Sequence, residues 1–140
     1  MSRILAVDWG EKRFGIALTD PLNLTAQPLT VLHSKKNETP WEGLRKLVQE
    51  YDVETVVVGL PLRTDGTPGE KEARVQAWVE EAKEKFPHIR FVMIDERFSS
   101  KEALRILEET KERRKIERPL VDKYAAAIIL EQFLRMNPKL

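Results

Sequence analysis

Residues 3–18 read Arg-Ile-Leu-Ala-Val-Asp-Trp-Gly-Glu-Lys-Arg-Phe-Gly-Ile-Ala-Leu. Ile4, Leu5, Ala6 and Val7 form an apolar run of the length of a buried strand, and Asp8 ends it. Gly10 supplies the backbone freedom of a tight turn, after which Phe14, Ile16 and Leu18 alternate with small or polar residues as a second strand would. A carboxylate at the end of an apolar strand is tolerated where it meets a metal, a cation or water. The fold question is therefore which other groups share the end of that first strand.

Beyond it, Asp20-Pro21 and Asn23 signal a turn, and residues 26–32 read as a third strand whose Pro28 favours a sheet edge. The first three strands then make an antiparallel meander. Thr39-Pro40-Trp41-Glu42 has the form of a capping box with proline at the first helical position, and Leu44, Leu47 and Val48 mark one face of the helix that follows. Residues 55–59, Thr-Val-Val-Val-Gly, are a β-branched run suited to a strand covered on both faces in the sheet centre. Pro61, Asp65-Gly66 and Pro68-Gly69 break the chain into a loop, and residues 70–86 resume as an amphipathic helix with Ala73, Val75, Ala77, Trp78 and Ala82.

Residues 89–94 read as a fifth strand closing on Asp95-Glu96, and Ser99 with Glu102 opens another helix carrying Ala103, Leu104, Ile106 and Leu107. A basic stretch precedes Pro119, and residues 122–136 form a last helix rich in Ala, Ile and Leu. Strands alternating with helices in the second half require parallel pairing with right-handed crossovers. The predicted architecture is α/β, a five-stranded mixed sheet with helices on both faces.

At 140 residues the chain suits one domain spanning 1–140 and is short for two lobes. Its 24 basic and 23 acidic side chains leave a net charge of +1, so any basic surface for a nucleic acid is local. The absence of cysteine excludes a disulfide framework, thiolate metal sites and a Cys nucleophile, and fits a reducing cytoplasm. No signal-peptide h-region is present at the N-terminus, and the longest apolar run, residues 124–130, is too short to cross a bilayer. No membrane role is expected. Abundant Glu, Lys and Arg without Cys also suit a heat-loving source.

Asp8 closes the first strand, Asp95 or Glu96 the fifth, and Asp122 opens the last helix. Open α/β sheets build sites at the carboxyl ends of their parallel strands, where these acids would gather. Three such carboxylates repel unless a hard divalent cation joins them, and oxygen donors favour Mg²⁺ or Mn²⁺. Two ions about 4 Å apart support phosphodiester hydrolysis with no covalent protein intermediate. Taken alone, Asp8 reads rather as a turn former and Asp122 as a helix cap, and only their coincidence at one rim favours a site. Successive strand residues face opposite sides, so only one of Asp95 and Glu96 can join Asp8, and spacing does not choose between them.

Lys111, Arg113, Arg114, Lys115 and Arg118 crowd the stretch before Asp122 and form either solvated surface or an arm for a phosphate backbone. Lys12, Arg13, Lys35, Lys36 and Arg63 extend it if they share the rim. Trp9 reads as a cover for its turn rather than a stacking platform, and His33 and His88 as surface residues. Asp20 and Asp65 read as turn formers.

With these residues in view, the chain resembles the YqgF family, Holliday-junction-resolvase-like proteins also described as nucleases for the precursor of small-subunit ribosomal RNA. The resemblance rests on Asp8-Trp9-Gly10 with Lys12-Arg13 and Gly15, on Val58-Gly59-Leu60-Pro61-Leu62 with Asp65-Gly66-Thr67, on Asp95-Glu96-Arg97, and on Val121-Asp122 running into Ala125-Ala126. It implies an RNase H-like fold and a metal-dependent nuclease site of Asp8, Glu96 and Asp122, with Arg97 nearby, and so selects Glu96 over Asp95. Glu11, Arg63 and Lys123-Tyr124 depart from the residues expected of the family.

The expected activity is processing of the 16S ribosomal RNA precursor, acting on RNA in preference to DNA, with a pre-ribosomal particle as partner and a monomer or weak dimer as the active form. Resolution of branched DNA is the alternative, and a non-catalytic nucleic-acid-binding protein of the same fold is another. A sugar-kinase or actin-like ATPase also places Asp and Gly after a first strand, but it needs two related lobes.

Overall fold

The computed structural model describes residues 2–36, 38–61, 69–95 and 118–136. Five strands, β1 (Arg3–Asp8), β2 (Arg13–Thr19), β3 (Ala26–His33), β4 (Val53–Leu60) and β5 (Arg90–Asp95), form one sheet in the order β3-β2-β1-β4-β5. The helices among the described residues are α1 (Trp41–Glu50), α2 (Glu70–Lys85) and α3 (Arg118–Met136). β1 pairs antiparallel with β2 and β2 with β3, while β4 runs parallel to β1 and β5 parallel to β4. Pro28 lies in β3, the edge strand it favours.

Strand alternation sorts the core into two clusters. Leu5, Val7, Phe14, Ile16, Leu18, Val56 and Val58 pack against Leu44 of α1 and against Val75, Trp78, Val79 and Ala82 of α2. Trp41 stacks on Trp78 at 5.7 Å between ring centroids and 2° between planes, and Phe14 meets Trp78 edge-on at 5.3 Å. Ile4, Ala6, Ala17, Val57 and Ile94 occupy the opposite side with Ala126, Ile129, Leu130 and Phe133 of α3. The sheet is thus covered on both faces, which explains why β2 is buried nearly throughout and is not half-exposed.

Several local expectations are corrected. Thr39 does not cap α1 through its hydroxyl; Pro40 is the N-cap, and the Trp41 N–H donates to the Thr39 carbonyl at 2.8 Å. At φ −77° and ψ 64°, Pro40 has the conformation of an inverse γ-turn, which turns the chain into the helix without a side-chain cap. On α2 the buried residues are Glu72, Val75, Trp78, Val79 and Ala82, while Ala73 and Ala77 are exposed, because the large side chains fix the helical phase. β1 is the middle strand of the sheet, with β4 beside it.

The last helix begins at Arg118, one turn before Asp122, because Pro119 is compatible with a first helical turn. Asp122 is therefore inside α3 and is not its cap. The β2–β3 turn, at the other end of the sheet, is closed by Asp20, whose carboxylate accepts N–H bonds from Leu22, Leu24 and Thr25. The Thr25 N–H above all holds the Asp20 carboxyl below its usual value.

Candidate active site

Asp8 is the last residue of β1 and pairs with Gly15 of β2. By alternation it shares the α3 side of the sheet with Ile4 and Ala6. The turn that follows is tight, since a Cβ on Gly10 would stand 2.7 Å from the Arg13 carbonyl oxygen. Glu11 on this turn is ion-paired with Arg74 of α2, which also meets Glu70 at 3.2 Å.

Gly15 decides how α3 meets the sheet. A Cβ there would lie 2.0 Å from the Asp122 carbonyl oxygen and 2.4 Å from its carbonyl carbon, so only glycine admits the helix backbone at this depth. The next position on the same side of β2 is Ala17, paired with Ala6 of β1. Small residues thus lie beneath the start of α3, and Asp122 is brought to the strand that pairs with Asp8.

Arg13, two residues before Gly15 on the same side of β2, donates its Nε–H to Oδ2 of Asp122 at 2.8 Å. Both side chains are largely withdrawn from solvent, at 25% and 22% exposure, so this ion pair is less screened than a surface one. Asp8, Asp122, Lys12, Arg13 and Lys71 line one cleft of about 290 Å³ with the Trp9–Glu11 turn. A second cleft, of about 340 Å³, lies across that turn and is bounded by Trp9, Gly10, Glu11, Phe14, Ser34, Thr39 and Arg74.

The structure therefore brings Asp8, Asp122, Lys12 and Arg13 together from the residues singled out in the sequence. Trp9 packs on the α1–α2 core, 6.4 Å from Phe14, and His33 and His88 are exposed. Asp95 is level with Leu60 and shares its side with Phe91 and Met93, away from that of Ile94 and α3. Glu96, Arg97, Arg63, Asp65, Lys111, Arg113, Arg114 and Lys115 lie outside the described residues, as does the helix expected after Ser99, and Arg118 starts α3.

Two features of the cleft escaped the sequence. Lys71 is an exposed cation in the first turn of α2 and carries no motif, so nothing in the chain signals its place. The pairing of Arg13 with Asp122 spans 109 positions and is equally invisible. Gly15 does leave a signal, because glycine inside a strand marks a close approach of another backbone.

The donor set suits a hard cation, because the carboxylates of Asp8, Glu11 and Asp122 line the cleft and, among the described residues, no thiolate or imidazole does. Among the described residues no three such side chains are grouped closely enough to hold a metal ion by themselves, and Glu11 is paired with Arg74. Nor is any helix among them long and apolar enough to cross a membrane.

The family model described as RuvX, Holliday junction resolvase, matches residues 2–136. A protein of Dictyoglomus turgidum is 39% identical over 132 residues, covering 94% of this chain and 93% of that one. One of Syntrophomonas wolfei is 42% identical over 132 residues with the same coverage; both carry the name "Putative pre-16S rRNA nuclease". Among solved structures, Thermus thermophilus RuvC in complex with Holliday junction substrate aligns with a TM-score of 0.54 at 16% identity, over 98% of this chain and 97% of that one. The fowlpox virus resolvase in complex with Holliday junction DNA aligns with a TM-score of 0.53 at 13% identity, over 94% of this chain and 99% of that one. At these identities the two structures speak to the fold.

Proposed function

Because the chain belongs to the RuvX family, we propose that it is a cytoplasmic metal-dependent nuclease that hydrolyses phosphodiester bonds in the precursor of 16S ribosomal RNA. The observation that carries this reading is the convergence of Asp8 and Asp122, from opposite ends of the chain, on one cleft edged by Lys12 and Lys71. The choice of RNA follows the relatives' name.

Asp8 and Asp122 would hold Mg²⁺ or Mn²⁺ in this cleft, with Glu96 as the third ligand. Glu96 comes from the resemblance to relatives, and the position of Asp95 on the other side of the sheet supports that choice. When bound, the cation supplies Lewis-acid stabilisation of charge on the phosphoryl oxygens and promotes ionisation of the attacking water. Lys12 and Lys71 neutralise the phosphates that flank the scissile one, with no covalent bond to the protein. The basic residues Arg63, Arg97, Lys111, Arg113, Arg114, Lys115 and Arg118 extend this contact along the backbone.

The test is cleavage of matched single-stranded RNA, single-stranded DNA and four-way-junction DNA with Mg²⁺ or Mn²⁺, comparing the wild type with Asp8→Asn. Metal-dependent cutting of RNA that the variant loses is the expected result. The family model's description favours a second reading, resolution of branched DNA, and symmetric cutting of the junction alone would establish it. Binding of RNA without any turnover would overturn the nuclease.

A further inference from the structure

Arg13 is poorly placed for a residue whose task is to grip a nucleic-acid backbone. Its side chain is three-quarters buried, and its Nε–H is already committed to Oδ2 of Asp122. An ε-nitrogen carries one N–H in the guanidinium plane, so this bond fixes the direction from which the carboxylate is held. Among the described residues Oδ1 of Asp122 accepts no hydrogen bond. The backbone of Asp122 is equally constrained, seated on Gly15 two residues along the same strand. One carboxylate is thus clamped at its main chain and at one oxygen, with the other oxygen left for a ligand in a cleft that also holds Asp8.

We propose that Arg13 is a positioning residue for the cation of this cleft: it pins Oδ2 of Asp122 so that Oδ1 is presented beside Asp8, and it is not a contact to the substrate backbone. The inference rests on the metal-dependent reading above. Carboxylates that bind metals are themselves hydrogen-bonded, and loss of such an outer partner costs about 10–100-fold in metal affinity. The guanidinium charge opposes a second cation, so what Arg13 contributes is orientation. Lysine keeps the charge without the planar N–H and does not replace it.

Two measurements separate this role from a phosphate contact. In calorimetric titration with Mn²⁺, Arg13→Gln and Arg13→Lys should each raise the dissociation constant about 10-fold or more. Metal-free binding of a single-stranded RNA oligonucleotide, followed by fluorescence anisotropy over a range of salt, should keep its wild-type slope in both variants. Lys12→Gln should do the reverse, leaving Mn²⁺ affinity alone and reducing the salt slope by about 0.7. If Arg13→Gln fails to fold by circular dichroism, Arg13→Lys, which retains the charge opposite Asp122, carries the test.

An unchanged Mn²⁺ affinity with a reduced salt slope in the Arg13 variants would overturn the proposal and return Arg13 to the substrate. Absence of Mn²⁺ binding in the wild type, matching Asp8→Asn, would overturn both this proposal and the metal-dependent reading beneath it. Mn²⁺ binding lost in Asp8→Asn but intact in Arg13→Gln would overturn this one alone.

Discussion

Toward α1 and α2 the sheet presents Leu5, Val7, Phe14, Ile16, Leu18, Val56 and Val58, whereas toward α3 the first two strands present Ile4, Ala6, Gly15 and Ala17. The bulky face keeps its helices at side-chain distance and fills the space with Trp78, Val75 and Val79. The small-residue face lets one helix settle backbone to backbone at Gly15. Burial of large apolar and aromatic side chains gives the first layer most of its stabilising area. The second layer forgoes some of that area and gains a fixed position for Asp122. The larger apolar packing and the close seating of Asp122 thus lie on opposite sides of the same strands.

Asp8→Asn should break the chemistry and spare the packing. On the proposed metal-dependent reading, loss of this carboxylate removes several kcal/mol of transition-state stabilisation, about 10³-fold or more in cleavage rate. The melting temperature should be retained, and a parallel fall in both would contradict the separation of roles. Trp78→Ala is the converse change. Removing a buried tryptophan that stacks on Trp41 and meets Phe14 should cost about 3–5 kcal/mol in chemical denaturation. Mn²⁺ affinity of the molecules that remain folded should match the wild type.

Gly15→Ala tests the point where the two demands meet. The added methyl group would run into the Asp122 main chain, which cannot rotate away, so α3 must shift. Overpacking of this kind costs about 1–3 kcal/mol, and here Mn²⁺ affinity should fall with stability. A variant that binds Mn²⁺ as the wild type does would show that the close approach is not needed by the site.

The smallest effect is expected at the β2–β3 turn, remote from both. Asp20 has a folded-state pKa below its ordinary value, so its stabilising contribution is complete above the ordinary carboxylate range and fades as pH falls through the lowered value. Asp20→Asn should therefore flatten the acid side of the melting-temperature profile, below about pH 4, without altering cleavage at neutral pH.

The sequence exposes the two faces unequally. The strands of the bulky face are legible because Ile4 to Val7 and Val56 to Val58 form runs that only burial explains, and the alternation of Phe14, Ile16 and Leu18 gives β2 its register. Asp8 is legible as a carboxylate that ends such a run. The setting of Asp122 is not, because a Pro three positions before an acid reads as a helix boundary, and the extra turn from Arg118 depends on packing. Lys71 and the pairing of Arg13 with Asp122 lie beyond local pattern, since they depend on how α2 and α3 settle against the sheet. Motif resemblance supplies what alternation leaves open, as in the choice of Glu96.

The bare contact at Gly15 also makes the start of α3 a pivot. Two main chains meet there with no rotamer between them, so a change in packing farther along the helix, at Ile129 or Phe133, can swing its far end but cannot lift this one. Asp122 sits on the axis of that swing. Angular error in the helix is therefore largest at its far end and smallest where Asp122 and Asp8 share a cleft.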